Sequence, residues 1–351
     1  MSHKFTHMIA TTLTSLAAVA SAAFMSSCVH EFPEKGEARN LVLHISHTTD
    51  WTYHDMTITR GEIPAPAIDG FNPGARYHIR IYPKGSQEAL IQETQFVSDD
   101  LTRGDFTMTL QVPPGSYDLY VWSDYADLGT KNSYFFNSDN FGAIVYSEPY
   151  NGNNELRDAF RGAVSFDIDS NIDANYYEEV WVQLERPLAR YEFISTDLEK
   201  FIEDETTRTE GAQQAATKAS PDDPTRGLPL DQYRVKMIYA AYMPSKFNNF
   251  TDRPIDSSVG QSYSAKIVRL NDKEARLGFD YVMVNGRESS VKVQLEVYDP
   301  EDELVARISP IDVPTKRSMN TTVRGKFLTS KVSGGVGINP DFNGEFNVPI
   351  N

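Results

Sequence analysis

The sequence is nearly free of cysteine, with one residue, Cys28, among 351. Because there is no second cysteine, an internal disulfide is excluded, and packing and hydrogen bonds alone must hold the fold together. Positive charge is also scarce, since 33 Lys and Arg stand against 49 Asp and Glu and give a net charge of −16. An acidic body of this kind is repelled by phosphate groups, so DNA or RNA binding is disfavoured.

Motifs of catalysis are missing as well. The sequence contains no Gly-x-Ser-x-Gly nucleophile elbow and no phosphate-binding loop. Paired carboxylates are abundant, but a strongly acidic chain carries them on any solvated surface. We therefore predict a protein that is not an enzyme and that uses no cofactor.

A long uncharged run occurs near the N-terminus, from Met8 to Phe24, after Lys4. It is too short and too rich in Thr and Ser for a comfortable membrane span, and its layout is typical of a secretory signal peptide. Its end, Met25-Ser26-Ser27-Cys28, resembles a bacterial lipobox, although Leu is usual at the first position. We predict that residues 1–27 are removed and that a lipidated Cys28 anchors the body to a membrane. The alternative is an ordinary cleaved signal followed by a chance cysteine.

The first half of the remaining chain has the pattern of a β-sandwich. Residues 28–40 are charged and broken by Pro33 and Gly36, which is typical of a flexible tether. After them, short apolar or alternating runs are separated by turn residues. We predict a sandwich over residues 41–186, with strands at 41–45, 51–60, 77–82, 91–97, 106–112, 117–122, 160–169 and 179–184.

The second half repeats the pattern, and residues 187–351 are predicted to form a second sandwich. A short capped helix is expected from about Thr196 to Ile202, and the low-complexity residues 204–230 are expected to form a mobile loop. Asn285-Gly286 is the strongest hairpin dipeptide in the chain. The fold class is therefore all-β, two sandwiches in tandem, with second-half strands at 191–194, 233–241, 262–270, 277–284, 291–298, 304–311, 321–328 and 346–350.

Three stretches resemble fimbrillin-like lipoproteins of Gram-negative anaerobes, and they lie at 113–125, 185–190 and 313–329. The resemblance implies transthyretin-like topology for both sandwiches and export to the outer membrane as a surface-exposed lipoprotein. It also implies a role as a subunit of type V pili or as a related adhesin. The implied partners are other fimbrial subunits or ligands on a host surface.

The same resemblance implies assembly by strand exchange, in which a protease removes the first strand and a neighbour's strand replaces it. Arg60, followed by Gly61 in a turn-like stretch, is the predicted position for cleavage by an arginine-specific protease. The C-terminal segment is the candidate donor, with apolar residues at alternate positions: Phe346, Val348 and Ile350. The alternative is that Arg60 is an ordinary loop residue and that the segment closes the second sandwich.

A weak candidate for calcium binding lies in one acidic run. The spacing of its oxygen ligands fits a twelve-residue calcium loop, but Ile172 stands where the turn needs glycine. We therefore expect no metal, and the candidate ligands are Asp167, Asp169, Asn171, Asp173 and Glu178.

The three tryptophans raise the alternative function of a monomeric glycan-binding surface lipoprotein. Trp51, Trp122 and Trp181 have rings that stack on sugars when they are exposed. Trp122 ends a predicted strand, and Trp181 lies between Val180 and Val182. We expect both of these rings in the core.

Overall fold

The computed structural model describes residues 40–47, 70–97, 106–170, 177–213, 228–330 and 345–349, which all belong to one unit, Pro33–Asn351. The predictions for the signal peptide, the tether and the processing stretch concern residues outside these ranges and stay predictions. The same holds for several single residues: Cys28, Trp51, Arg60, Gly61, Asn171, Asp173 and Ile350.

Strands dominate the described residues, which confirms the all-β class. The strands are β1 (Leu41–His47), β2 (Pro73–Pro83), β3 (Ile91–Val97), β4 (Phe106–Leu110), β5 (Gly115–Asp127), β6 (Phe136–Asn137), β7 (Ile144–Tyr146), β8 (Phe160–Ile168), β9 (Glu178–Leu184), β10 (Leu188–Ser195), β11 (Arg234–Tyr239), β12 (Met243–Asn248), β13 (Arg253–Ser258), β14 (Ser262–Lys266), β15 (Val268–Arg269), β16 (Ala275–Met283), β17 (Glu288–Tyr298), β18 (Leu304–Lys316), β19 (Met319–Gly325) and β20 (Glu345–Pro349). The α-helix α1 spans Leu198–Gln213, and short 3-10 turns occur at Glu155–Arg157 and Leu230–Gln232. No helix in this part of the chain is both long and apolar enough to cross a membrane.

The strands form five sheets. Their orders are β4-β1-β9 (sheet A), β3-β2-β5-β8 (sheet B), β13-β12-β7-β6 (sheet C), β15-β16-β10-β19-β20 (sheet D) and β14-β11-β17-β18 (sheet E). Among the described strands, β1 with β9 and β10 with β19 pair in parallel, and the other pairs are antiparallel.

Two apolar cores fill the space between the sheets. The N-terminal core lies between sheets A and B, and the C-terminal core is lined by sheets C, D and E. Every second side chain of β2 points into the N-terminal core. These side chains are Tyr77, Ile79 and Ile81, and each is at most 1% exposed. The arrangement as two sandwiches in tandem, the transthyretin-like topology and the boundary at residue 186 stay predictions.

Sheet C joins the two halves of the chain and was missed in the sequence. Its strands β6 and β7 come from the first half, and its hairpin β12–β13 comes from the second, with Phe247 opposite Ile144. The hairpin turns at Asp252, whose φ is +55°. Its strands lack clean alternation, because only Met243 and Phe247 of β12 are buried.

The helix is longer than predicted, so the prediction of a loop over 204–230 is wrong for residues 204–213. The segment has no apolar period, but polar contacts fix it. Glu205 accepts a hydrogen bond from the Tyr233 hydroxyl (2.8 Å), and Arg208 donates to Glu205 (2.8 Å) and to Asp299 (2.6 Å). These contacts attach α1 to the strands of the second half.

The Asn285-Gly286 turn does not form a hairpin. Gly286 has a φ of +76°, as a tight turn requires. However, the turn connects β16 in sheet D to β17 in sheet E, so it carries the chain from one sheet to the other. All nine residues of β16 are buried, which leaves this strand between the layers.

A buried ionic cluster lies where the halves meet. Arg157 Nε is 2.9 Å from Asp280 Oδ1, and the Tyr150 and Tyr239 hydroxyls each donate to Asp280 Oδ2 over 2.7 Å. Burial raises the pKa of both tyrosines, and the nearby Asp280 carboxylate raises it further, so both remain protonated donors. Burial opposes the charge on Arg157, but Asp280 raises the pKa of the guanidinium above its usual value.

We expect Trp122→Ala to lower the free energy of unfolding by about 3–5 kcal/mol. The ring is fully buried, and its Nε1 donates to Asp124 Oδ2 over 3.0 Å. Urea titration measures the change, with Tyr242→Ala as the control because Tyr242 is 74% exposed. A loss below about 1 kcal/mol for Trp122→Ala would contradict the buried position.

Candidate strand-exchange site

The first described strand, β1, is the central strand of sheet A. It pairs antiparallel with β4, from Leu41 opposite Leu110 to Ile45 opposite Phe106. On its other side it pairs in parallel with β9, from Leu41 opposite Glu178. Since β4 and β9 do not pair with each other, β1 is the strand that connects them.

The side chains of β1 complete the N-terminal core. Leu41, Leu43 and Ile45 are at most 1% exposed and lie among the residues of sheets A and B. Burying each aliphatic side chain contributes about 1.5–3 kcal/mol. Removal of β1 would therefore open an apolar groove between β4 and β9, bordered by unpaired backbone groups on both sides.

Asn40 fixes the entrance to this groove. Its Nδ2 donates to the Val112 carbonyl (2.6 Å), and the Val112 N–H donates to its Oδ1 (2.9 Å). Its backbone also pairs on both sides, with the Leu110 carbonyl (3.1 Å) and the Glu178 N–H (2.9 Å). The register of β1 is thus defined before the first apolar side chain enters the core.

The predicted processing position lies on the chain between β1 and β2. Arg60 follows His47, the last residue of β1, and precedes Pro73, the first residue of β2. A cut after Arg60 would leave β1 attached to the rest of the protein by its hydrogen bonds and side-chain packing alone.

The outer face of sheet A carries Trp181, and the prediction that this ring lies in the core is wrong. Trp181 is 66% exposed, whereas Val180 and Val182 are buried. Successive side chains of a strand point to opposite faces, so two buried valines place the residue between them outside. The ring stacks on His44 of β1, with centroids 3.9 Å apart and planes 12° apart.

The candidate calcium ligands are only partly described. Asp167 lies on β8, Asp169 directly follows it, and Glu178 begins β9. Within the described ranges, no group of three or more His, Cys, Asp or Glu side chains is placed to hold a metal ion. Burial and the nearby Arg76 and Arg80 lower the pKa of His78 to about 3, and its Nδ1 lies 3.0 Å from Thr94 Oγ1.

The candidate donor segment forms β20 in this chain. It pairs antiparallel with β19, with Val348 opposite Asn320 and Pro349 opposite Met319. It is the last strand in the order of sheet D, so it occupies an edge, as the proline suggests. This pairing is the alternative described above for the segment, and its use as a donor stays a prediction.

The comparisons place the chain in a family. The model of a family of unknown function (DUF6562) matches residues 35–351, so the chain belongs to that family. No protein with a curated description matches the chain.

Several solved structures are similar in fold to this chain, at low sequence identity. The fimbrial anchor protein Mfa2 from Porphyromonas gingivalis is 10% identical, with 81% of this chain and 89% of that chain covered and a TM-score of 0.37. A fimbrial assembly protein from Parabacteroides distasonis is 9% identical, with 81% and 89% covered and a TM-score of 0.37. A proposed polysaccharide-binding protein from Bacteroides thetaiotaomicron is 11% identical, with 81% and 91% covered and a TM-score of 0.43.

We expect Leu43→Ala to lower the free energy of unfolding by about 2–5 kcal/mol, because it leaves a cavity in the N-terminal core. The matched control is Ser46→Ala on the outer face of β1, which should change it by about 0.5 kcal/mol or less. Urea titration measures both, and hydrogen exchange reports whether β1 opens. Equal effects of the two substitutions would mean that β1 is not held by its inward side chains.

Proposed function

We propose that this protein is a lipid-anchored surface subunit of a fimbria, or a related adhesin, whose assembly uses exchange of its first strand. The observation that carries the proposal is the central position of β1 between β4 and β9. It is a short strand near the start of the folded body, and its removal would leave a groove of the right shape for another strand. The finer assignments, transthyretin-like sandwiches and an outer-membrane lipoprotein, belong to this proposal and follow from the sequence resemblance.

The C-terminal segment has the spacing that this groove requires. Leu41, Leu43 and Ile45 fill it at alternate positions, and the segment carries Phe346, Val348 and Ile350 at the same spacing. A segment from a neighbouring subunit would therefore supply three apolar side chains of similar size. In this alignment Pro349 takes the position of His44 and leaves one ladder hydrogen bond unmade.

The proposed lipid anchor and the strand proposed for exchange lie on the same N-terminal segment of the chain. Cys28 and β1 both lie before Arg60, so a cut there separates the lipidated segment from the rest of the body. The body then stays at the membrane only while β1 remains in its groove. Replacement of β1 by a donor strand would transfer the body from its own anchor to the neighbouring subunit.

We expect Cys28→Ser to abolish lipidation and release the protein from membranes, since lipid attachment needs the cysteine thiol. Metabolic labelling with a fatty-acid analogue, followed by fractionation of the membranes, measures this. Ser27→Ala is the control, because it keeps the cysteine and a small preceding residue. No incorporation of label into the unaltered protein would contradict the lipoprotein assignment.

We expect Arg60→Ala to block processing and filament formation, because an arginine-specific protease loses its recognition residue. N-terminal sequencing of protein isolated from its native surface should find chains that begin at Gly61, and electron microscopy should show filaments. Arg253→Ala is the control, since Arg253 is exposed on β13. Surface protein that always begins at the lipidated cysteine would exclude this cleavage and leave an anchor, tip or monomeric role.

The alternative function, a monomeric glycan-binding lipoprotein, is favoured by one observation. Trp181 presents a large aromatic ring to solvent, as a sugar-stacking residue must. The two functions are linked through β1, because its apolar side chains fill the groove between β4 and β9 and its His44 stacks on Trp181 on the outer face of sheet A.

A further inference from the structure

The outer face of sheet A combines one exposed ring with polar neighbours. Along β9, Glu179 and Gln183 lie two residues before and after Trp181 on the same face, and all three are exposed. Each is about 6–7 Å from Trp181 along the strand. Hydrogen-bonding groups therefore flank the ring on both sides.

His44 holds this ring in a fixed plane. Its Nδ1 is 3.2 Å from Thr107 Oγ1 on β4, and its Nε2 is 3.7 Å from Glu179 on β9. The imidazole is thus fixed between the two neighbouring strands, and Trp181 stacks flat against it. One face of the indole is covered by His44, so the exposure of Trp181 falls on the opposite face and the edges.

A saccharide fits this arrangement better than a protein partner does. A pyranose has a flat face of C–H groups, which stacks on an aromatic ring, and a rim of hydroxyls, which bind polar side chains. The buried centre of a protein interface is more apolar than the surrounding surface. Here the apolar neighbour on the outer face, Val42, is only 6% exposed, and the residues of β9 that flank Trp181 on this face, Glu179 and Gln183, are polar.

The negative charge of the protein favours neutral saccharides over anionic ones. The chain has a net charge of −16, and the exposed Glu179 lies beside the ring. A polysaccharide that carries carboxylates or sulfates would be repelled. A neutral hexose chain carries no such penalty.

We propose, resting on the alternative glycan-binding function above, that the outer face of sheet A binds a neutral saccharide, with Trp181 as the stacking ring and with β1 completing the site through His44. The position of His44 makes the site dependent on the strand that occupies the groove. Where the proposed exchange takes place, Pro349 would stand at the position of His44, and the site would lose the residue that orients Trp181.

Titration of the purified full chain tests the site directly. The probes are the hexamers of β-1,4-glucose, α-1,4-glucose, β-1,4-mannose and β-1,4-N-acetylglucosamine, with polygalacturonate as the anionic comparison. We expect saturable binding of at least one neutral hexamer and loss of that binding in Trp181→Ala. Tyr242→Ala is the matched control, since it removes an exposed aromatic ring (74% exposed) away from sheet A and should leave binding unchanged.

The contribution of β1 is tested with two substitutions at one position. We expect His44→Ala to weaken binding by about tenfold, which corresponds to ~1.4 kcal/mol. His44→Phe keeps a flat ring against Trp181 and should restore most of the affinity, which a loss of folding would not allow. The fluorescence spectrum of the indole should shift in His44→Ala and return towards the original in His44→Phe.

Each other outcome overturns the proposal. If none of the neutral hexamers binds, or if only polygalacturonate binds, neutral saccharides are excluded as the ligands of this site. Unchanged affinity in Trp181→Ala would show that the Trp181 ring does not stack on the saccharide. Unchanged affinity in His44→Ala would show that β1 does not contribute to the site. Loss of filaments in Trp181→Ala without saccharide binding would assign this face to contact between subunits. Because the titration uses the uncut chain, its failure is distinct from a failure of cleavage at Arg60.

Discussion

The buried pair of Arg157 and Asp280 is the interaction on which the junction of the two halves depends. Asp280 is completely buried, and its oxygens face Arg157 and two tyrosine hydroxyls. Removing one member of a buried ion pair leaves an unpaired charge and costs roughly 3–5 kcal/mol. Such a penalty favours the arrangement in which Arg157 stays against Asp280 of β16. Sheet C, which takes strands from both halves, is a second connection between them.

The junction between the two halves lies apart from β1, the strand that is proposed to be exchanged. The ionic cluster and the C-terminal core involve none of the residues of β1, since the N-terminal core contains its inward side chains. An exchange of β1 would therefore disturb sheet A and leave the contacts between the halves intact. Under the proposed exchange, the junction would be the permanent framework and β1 the replaceable strand.

The sequence predicted strands well where local composition and flanking turn residues define them. The run 91–97 was predicted with the bounds of β3, and the alternation of Tyr77, Ile79 and Ile81 was found as expected. Prediction failed where polar contacts or distant partners decide the structure. The last part of α1 depends on Asp299, which lies 91 positions from Arg208, and the hairpin β12–β13 depends on pairing with β7.

The candidate site was predicted only in part, and the reason differs between its two faces. The apolar run at 41–45 revealed β1 but not its partners, because pairing with β9 joins residues more than a hundred positions apart. Trp181 was assigned to the core on its residue type, although period two along Val180 and Val182 already required the opposite face. In this strand, position in the pattern is a better guide than hydrophobicity.

The placement of β1 between two neighbours also determines how the protein would respond to mechanical load. A pull on residue 40 along the strand axis would strain the hydrogen bonds to β4 and to β9 together, in shear, so no single bond can fail alone. An edge strand such as β20, paired on one side only, opposes the same pull with a single row of bonds. A body tethered through its N-terminus would thus be held by a strand that is paired on both sides and resists a pull along its axis. A competing strand could still displace β1 from its neighbours, because it would replace the hydrogen bonds one residue at a time.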